Sequence, residues 1–157
     1  DYPVLIKINA RDYMENGVEL EDSLQAARML AAEGLDAVEL SGGTRLSGKL
    51  IPSRMGIRSS EQEAYFREEA RAFKQALDLP LILVGGIRSP EVAERLLEQG
   101  EADYISMCRP FIREPDLVDR WRSGDRRPAL CISDNQCFAA IAKGGGVYCL
   151  TAVREQS

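Results

Sequence analysis

Two places in this chain bring together residues suited to holding an anion. Residues 81–84 (Leu-Ile-Leu-Val) form an apolar run that stops at Gly85-Gly86, and residues 104–107 stop at Cys108-Arg109. A strand buried in a parallel sheet reads as such a run. Glycines at its end let backbone N–H groups approach a ligand closely. A guanidinium matches the oxygens of phosphate in number and geometry. The two strand ends lie one βα unit apart. In a (βα)8 barrel the loops after the seventh and eighth strands often form a phosphate site. Taken singly, Gly85 and Gly86 read as ordinary turn glycines and Arg109 as a surface ion-pair residue. Together they read as a phosphate grip.

Lys7 is the second candidate. It interrupts the apolar strand pattern of residues 4–9, and a buried ammonium is costly unless it meets a negative partner. Pairing with a core carboxylate such as Glu39 is one reading. A cation aimed at ligand charge at the C-terminal mouth of a barrel is the other. Asn9, two residues on, faces the same side and could hydrogen-bond the same ligand. Cys131, Cys137 and Cys149, with Asp134, hint at a metal or iron–sulfur site. Their spacing is loose, and buried or free thiols are the simpler expectation. The acidic stretch Glu61, Glu63, Glu68 and Glu69 reads as a solvated helix face.

The elements that must position these residues alternate strand and helix. Strand patterns cover residues 4–9, 37–41, 80–85 and 104–107. A helical pattern starts at Leu20 and ends near Gly34. A second follows Ser60, which with Glu63 reads as a capping box, and turns Phe66, Ala70 and Phe73 inward. The third has Ser89 as cap and Pro90 as first residue, with Val92, Ala93, Leu96 and Leu97 inward. A short helix after Pro115 carries Leu117, Val118 and Trp121. From Arg126 the chain reads as irregular, with a triple glycine at residues 144–146. The expectation is therefore an α/β protein. Residues 1–124 form four parallel βα units, half of a (βα)8 TIM barrel, and residues 125–157 form an irregular tail containing cysteines. No GxGxxG fingerprint follows any strand, which disfavours a doubly wound sheet. Four strands alone would expose two edges and invite self-association.

Composition narrows the function classes. The 157 residues carry a net charge of −5, which argues against a nonspecific nucleic-acid binder. No apolar run approaches the ~20 residues that span a bilayer. The N-terminus has no signal-peptide pattern and no initiator Met, as in a chain cut from something longer. Four cysteines with no sign of secretion suggest reduced thiols in the cytoplasm. There is no histidine, so neither a His base nor a His metal ligand can come from this chain.

Four motifs, taken in order, resemble the old yellow enzyme family, the NADH:flavin oxidoreductases that include 2,4-dienoyl-CoA reductases. They are Ile6-Lys7-Ile8-Asn9-Ala10-Arg11-Asp12-Tyr13, the GxDxxxxSGG pattern of residues 34–43, PxxxVGGIxxPExAExxL from Pro80, and GxADxxxxxRPxIxxPDL from Gly100. The match covers nearly the whole chain but only the C-terminal half of the family barrel.

The resemblance implies an FMN-dependent oxidoreductase that passes hydride from NAD(P)H to flavin, then to an activated alkene or enone. It maps the flavin N1/O2 cation onto Lys7 and the phosphate site onto Gly85, Gly86, Cys108 and Arg109. The residue before this Arg is often Gly in the family and is Cys108 here. Asp134 stands where iron–sulfur members have a cysteine, so no cluster is expected. The family's substrate-binding His/Asn or His/His pair and its proton-donating Tyr lie in the N-terminal half. This chain alone is therefore expected to be inactive, and to be completed by that half or by a second copy. A non-catalytic half-barrel module and another phosphate-binding barrel, an isomerase or aldolase, are the alternative readings.

Overall fold

The apolar runs form four parallel strands: β1 (Leu5–Asn9), β2 (Ala37–Ser41), β3 (Leu81–Leu83) and β4 (Tyr104–Ile105). The computed structural model describes residues 2–156 except 143 and 145. Asp1 of the N-terminal segment and Gly145 of the triple glycine thus lie outside the described residues. Each strand pairs with the next in sequence, in the order β1-β2-β3-β4. A doubly wound sheet reverses its order part-way. This one does not, and a helix fills every crossover: α1 (Leu20–Ala32), α2 (Arg67–Ala76) and α3 (Pro90–Glu98). Sequential parallel βα units of this kind are half of a (βα)8 barrel.

Alternation along the strands separates two faces. Val38 and Leu40 of β2 and Leu81 and Leu83 of β3 point to the helices and are buried against Leu24, Ala27, Ala70, Phe73, Val92 and Leu96. On the opposite, concave face Lys7, Glu39, Ile82 and Tyr104 share one rung across all four strands. That face is open, and Tyr104 is 61% exposed.

Helix boundaries follow local chemistry. Before α1, Glu19 and Asp22 form a capping box, and Gly34 turns the chain afterward at φ +95°. Ser89 and Pro90 start α3 as cap and first residue. Several expectations need correction. The capping box in the second crossover is Ser59 with Gln62, and it starts only a single 3₁₀ turn, Ser60–Gln62. The helix proper begins at Arg67 rather than directly after a Ser60 cap. Glu63 and Glu69, expected in solvent, are buried with partners described below. Leu97 is 41% exposed rather than inward. A five-residue helix, α4 (Arg109–Arg113), follows β4 and precedes α5 (Leu117–Arg122). The tail is not irregular throughout, because α6 (Gln136–Ala142) and α7 (Leu150–Glu155) form in it. Both are short, spanning fewer than two turns, so their periodicity is weak in sequence.

Candidate functional site

Gly85 and Gly86 end β3 in conformations that L residues rarely adopt, at φ +143° and +72°. The reason is a close neighbour. A Cβ on Gly86 would stand 2.6 Å from Tyr65 Cε1, and one on Gly85 would stand 3.2 Å from Phe66 Cδ2. The Gly85 carbonyl accepts the Tyr65 N–H at 3.1 Å. The glycines therefore let the Tyr65-Phe66 segment pack onto the loop. Glu63 fixes the loop's far end: one carboxylate oxygen accepts Arg88 N–H (2.8 Å) and Ser89 N–H (3.0 Å), and the other accepts the Ser89 hydroxyl (2.5 Å).

Between these ties the backbone is unsatisfied. Among the described residues, the amides of Gly85, Gly86 and Ile87 donate to no protein acceptor, and neither do those of Met107 and Cys108 on the next strand end. Gly85 and Ile87 are buried. Buried amides without acceptors are rare, and they await a ligand or water.

Arg109 opens α4 beside them and is itself buried. Its Nη1 donates to the Arg54 carbonyl (2.9 Å) and to Asn135 Oδ1 (2.8 Å). It ion-pairs with no carboxylate among the described residues. The Asp134 carboxylate is close enough to feel its charge but does not pair with it directly. A buried cation without a direct counter-ion is costly, so this geometry suits an anion at the same place. Tyr65 borders both halves of the site: it packs on Gly86, and its hydroxyl donates to the Pro52 carbonyl at 2.7 Å. Burial raises the pKa of Tyr65 against the pull of the Arg109 and Arg54 guanidiniums, so it stays a neutral phenol. Arg54 lies over the Tyr65 ring (4.5 Å), the Phe66 ring (5.3 Å) and the Tyr13 ring (5.4 Å), and its Nε has no hydrogen-bond partner among the described residues. Tyr13 in turn donates to Glu69 at 2.8 Å. Burial, followed by that carboxylate, pushes the Tyr13 hydroxyl pKa well up.

Lys7 lies apart from this cluster, mid-strand on the concave face. It donates to Glu39 at 2.7 Å and remains 53% exposed. Burial pushes the Glu39 carboxyl up, but hydrogen bonds from Lys7 and from the Ser106 hydroxyl outweigh it, and the group ends below its ordinary value. The ammonium keeps two further N–H donors toward the open face. Asn9 holds the following loop, its Nδ2 donating to Gly43 O (3.0 Å) and Asp12 Oδ1 (3.1 Å). Cys108 is exposed, and all four cysteines are free thiols. Asp134 accepts from Thr151 Oγ1 and the Gln136 amide. No group of three metal-ligating side chains is assembled among the described residues.

Residues 1–127 match the NADH:flavin oxidoreductase / NADH oxidase family. The chain belongs to this family. Among curated relatives, it is 31% identical to the 4,4'-dithiodibutanoate disulfide reductase of Rhodococcus erythropolis over 90% of this chain and 41% of that protein. It is 32% identical to an NADH oxidase of Thermoanaerobacter brockii over 86% of this chain and 20% of that protein. The chain thus spans less than half the length of these relatives. Solved structures share its fold. They include 6-hydroxypseudooxynicotine amine oxidase from Pseudomonas geniculata N1 (TM-score 0.73, 20% identity, 94% of this chain and 21% of that one). Another is the old yellow enzyme homologue of Zymomonas mobilis (TM-score 0.53, 20% identity, 82% of this chain and 34% of that one). The fold is that of the C-terminal half of a (βα)8 barrel. Among the described residues no helix is long and apolar enough to cross a membrane.

Sequence reasoning named Gly85, Gly86, Cys108 and Arg109, and the structure brings the two strand ends together around Tyr65. It did not name Asn135, Arg54 or Glu63 for the site. Only Asn135 left a local trace. It sits in a Ser-Asp-Asn run whose first and last members adopt left-handed backbone, φ +54° and +59°, as Asn tolerates more readily than most residues.

Proposed function

We propose that this chain is the phosphate-holding half of an FMN-dependent NAD(P)H:flavin oxidoreductase acting on an activated alkene or enone. The observation that carries the reading is Arg109: a buried guanidinium that, among the described residues, pairs directly with no carboxylate, next to amides of two adjacent strand ends that there bond to no protein acceptor. These residues fit a phosphate monoester. Gly85, Gly86 and Cys108 supply backbone N–H donors, and Arg109 supplies charge-assisted ones. Lys7 is the cation for the N1/O2 edge of the isoalloxazine ring. Glu39, itself braced by the Ser106 hydroxyl, holds its ammonium in place on the concave face. Asn9 stiffens the loop beside it. FMN, when bound, supplies the hydride chemistry, and the protein orients and tunes it.

By itself the chain binds rather than catalyses, because the family's substrate-binding and proton-donating side chains belong to the other half of the barrel. Its partner is that half, or a second copy of the chain. A cytoplasmic location accords with four unpaired thiols.

Titration with FMN, followed by flavin fluorescence, tests the reading. Saturable quenching is expected, weaker by about ten-fold or more in Arg109→Ala because a charge-assisted hydrogen bond is lost. Lys7→Ala should instead make the bound flavin harder to reduce, measured as a lower midpoint potential. A folded chain that binds sugar phosphates but not FMN would favour an isomerase or aldolase.

A further inference from the structure

We propose that Asn135, in the tail beyond the family-matched residues 1–127, is a positioning residue that aims Arg109 at the flavin phosphate. This inference rests on the phosphate reading of Arg109 given above.

A guanidinium has five N–H donors in a rigid plane. Nη1 has two of them, and both are taken, one by the Arg54 carbonyl (2.9 Å) and one by Asn135 Oδ1 (2.8 Å). Two acceptors on one nitrogen fix the plane of the fork. They leave its other edge, Nε and Nη2, for a ligand. Nε and Nη2 donors of this kind match two phosphate oxygens at once.

Asn135 can hold Arg109 only because Asn135 is itself held. Its Nδ2 donates to the Ser53 carbonyl at 2.8 Å. One residue from its neighbour, the Ser133 carbonyl accepts Gly56 N–H at 2.9 Å. Asp134 closes the turn by accepting the Gln136 amide and the Thr151 hydroxyl. The amide of Asn135 thus joins three parts of the chain: the tail turn, the loop at residues 53–56, and the start of α4. An amide suits this place because it donates and accepts at once. It also adds no charge beside the guanidinium. A carboxylate there would pair with Arg109 and compete with the phosphate.

The test uses the full-length protein containing this chain and compares FMN with riboflavin, which lacks the phosphate. A packing defect weakens both flavins, whereas a misaimed Arg109 weakens FMN alone. Asn135→Ala is expected to reduce FMN affinity about ten-fold and leave riboflavin affinity unchanged. In an Arg109→Ala background the same substitution should have no further effect, since the two residues act in series. Asn135→Asp keeps the acceptor and tolerates the left-handed backbone, so it tests the idea even if the alanine variant folds poorly. It too should lose FMN selectively. Equal loss of both flavins, or additivity with Arg109→Ala, would overturn the positioning role while leaving the phosphate reading intact. If Arg109→Ala itself leaves the preference for FMN over riboflavin unchanged, the phosphate reading fails and this inference with it.

Discussion

Glu63 illustrates how far a side chain's role can lie from its local pattern. In sequence it belongs to an acidic run that suggests water. In the fold it is 6% exposed, and its carboxylate accepts three hydrogen bonds from Arg88 and Ser89. It caps α3 from outside that helix and braces the loop carrying Gly85 and Gly86. Glu63→Ala would strand two backbone donors at a helix start. A loss of about 2–3 kcal/mol is expected from unsatisfied buried groups, read by chemical denaturation. An unchanged midpoint would mean water replaces the carboxylate at no cost. Glu39 offers a second residue-level test, in pH. Its folded pKa lies below the ordinary value, so the stability it contributes is complete above the unfolded carboxylate's range. That contribution is lost as pH falls through the depressed folded value. The pair is partly exposed, so the contribution is under about 1 kcal/mol. Lys7→Ala removes the main opposing bond and leaves burial less opposed. The Glu39 carboxyl midpoint should therefore rise, as seen by ¹³C NMR titration. A fall would show that the Lys7 contact does not govern it.

The loops before and after β2 impose different demands on their glycines. A Cβ on Gly43 (φ +80°) would come 2.2 Å from the Leu50 carbonyl oxygen, which is backbone and cannot swing away. Gly34 has a similar φ of +95° with nothing within 4 Å. Gly34→Ala should cost about 1–2 kcal/mol of left-handed strain alone. Gly43→Ala adds overpacking, for roughly 2–5 kcal/mol in total. Thermal melts of the two variants compare these directly, and equal losses would refute the steric account. The same elements show which information is local. Val38, Leu40, Leu81 and Leu83 carry a strand signal in their own run, and Ser89-Pro90 carries a helix start. These were readable because each rests on a few adjacent residues. The late start of α2 was not, since Glu63 is drawn off to α3 and Tyr65-Phe66 to the glycine loop. Gly85, Gly86 and Arg109 could be named as a group because they follow two successive strand runs, where a barrel often holds phosphate. Asn135 and Arg54 could not, because contacts across 26 and 55 residues of chain place them.

Taken whole, this half-barrel leaves β1 and β4 as unpaired edges and its concave face open. Leu5 (51% exposed) and Tyr104 (61% exposed) are apolar groups on that face, and they surround the Lys7–Glu39 pair. In a closed barrel, inward side chains from neighbouring strands would fill this space. Edge strands with free N–H and C=O groups recruit other strands, and a net charge of −5 is too small to prevent this. The chain on its own should therefore self-associate in a concentration-dependent way, measured by sedimentation velocity. Tyr104→Lys places a charge on the apolar face without touching the helix-side core, so it should shift the population toward monomer. Supplying the N-terminal half of the barrel should do the same by occupying the face and both edges, and should release one complex of each half. Self-association that survives both interventions would place the sticky surface elsewhere. The exposed apolar residues of the tail helices, Phe138, Ile141 and Val153, would then be the next to examine.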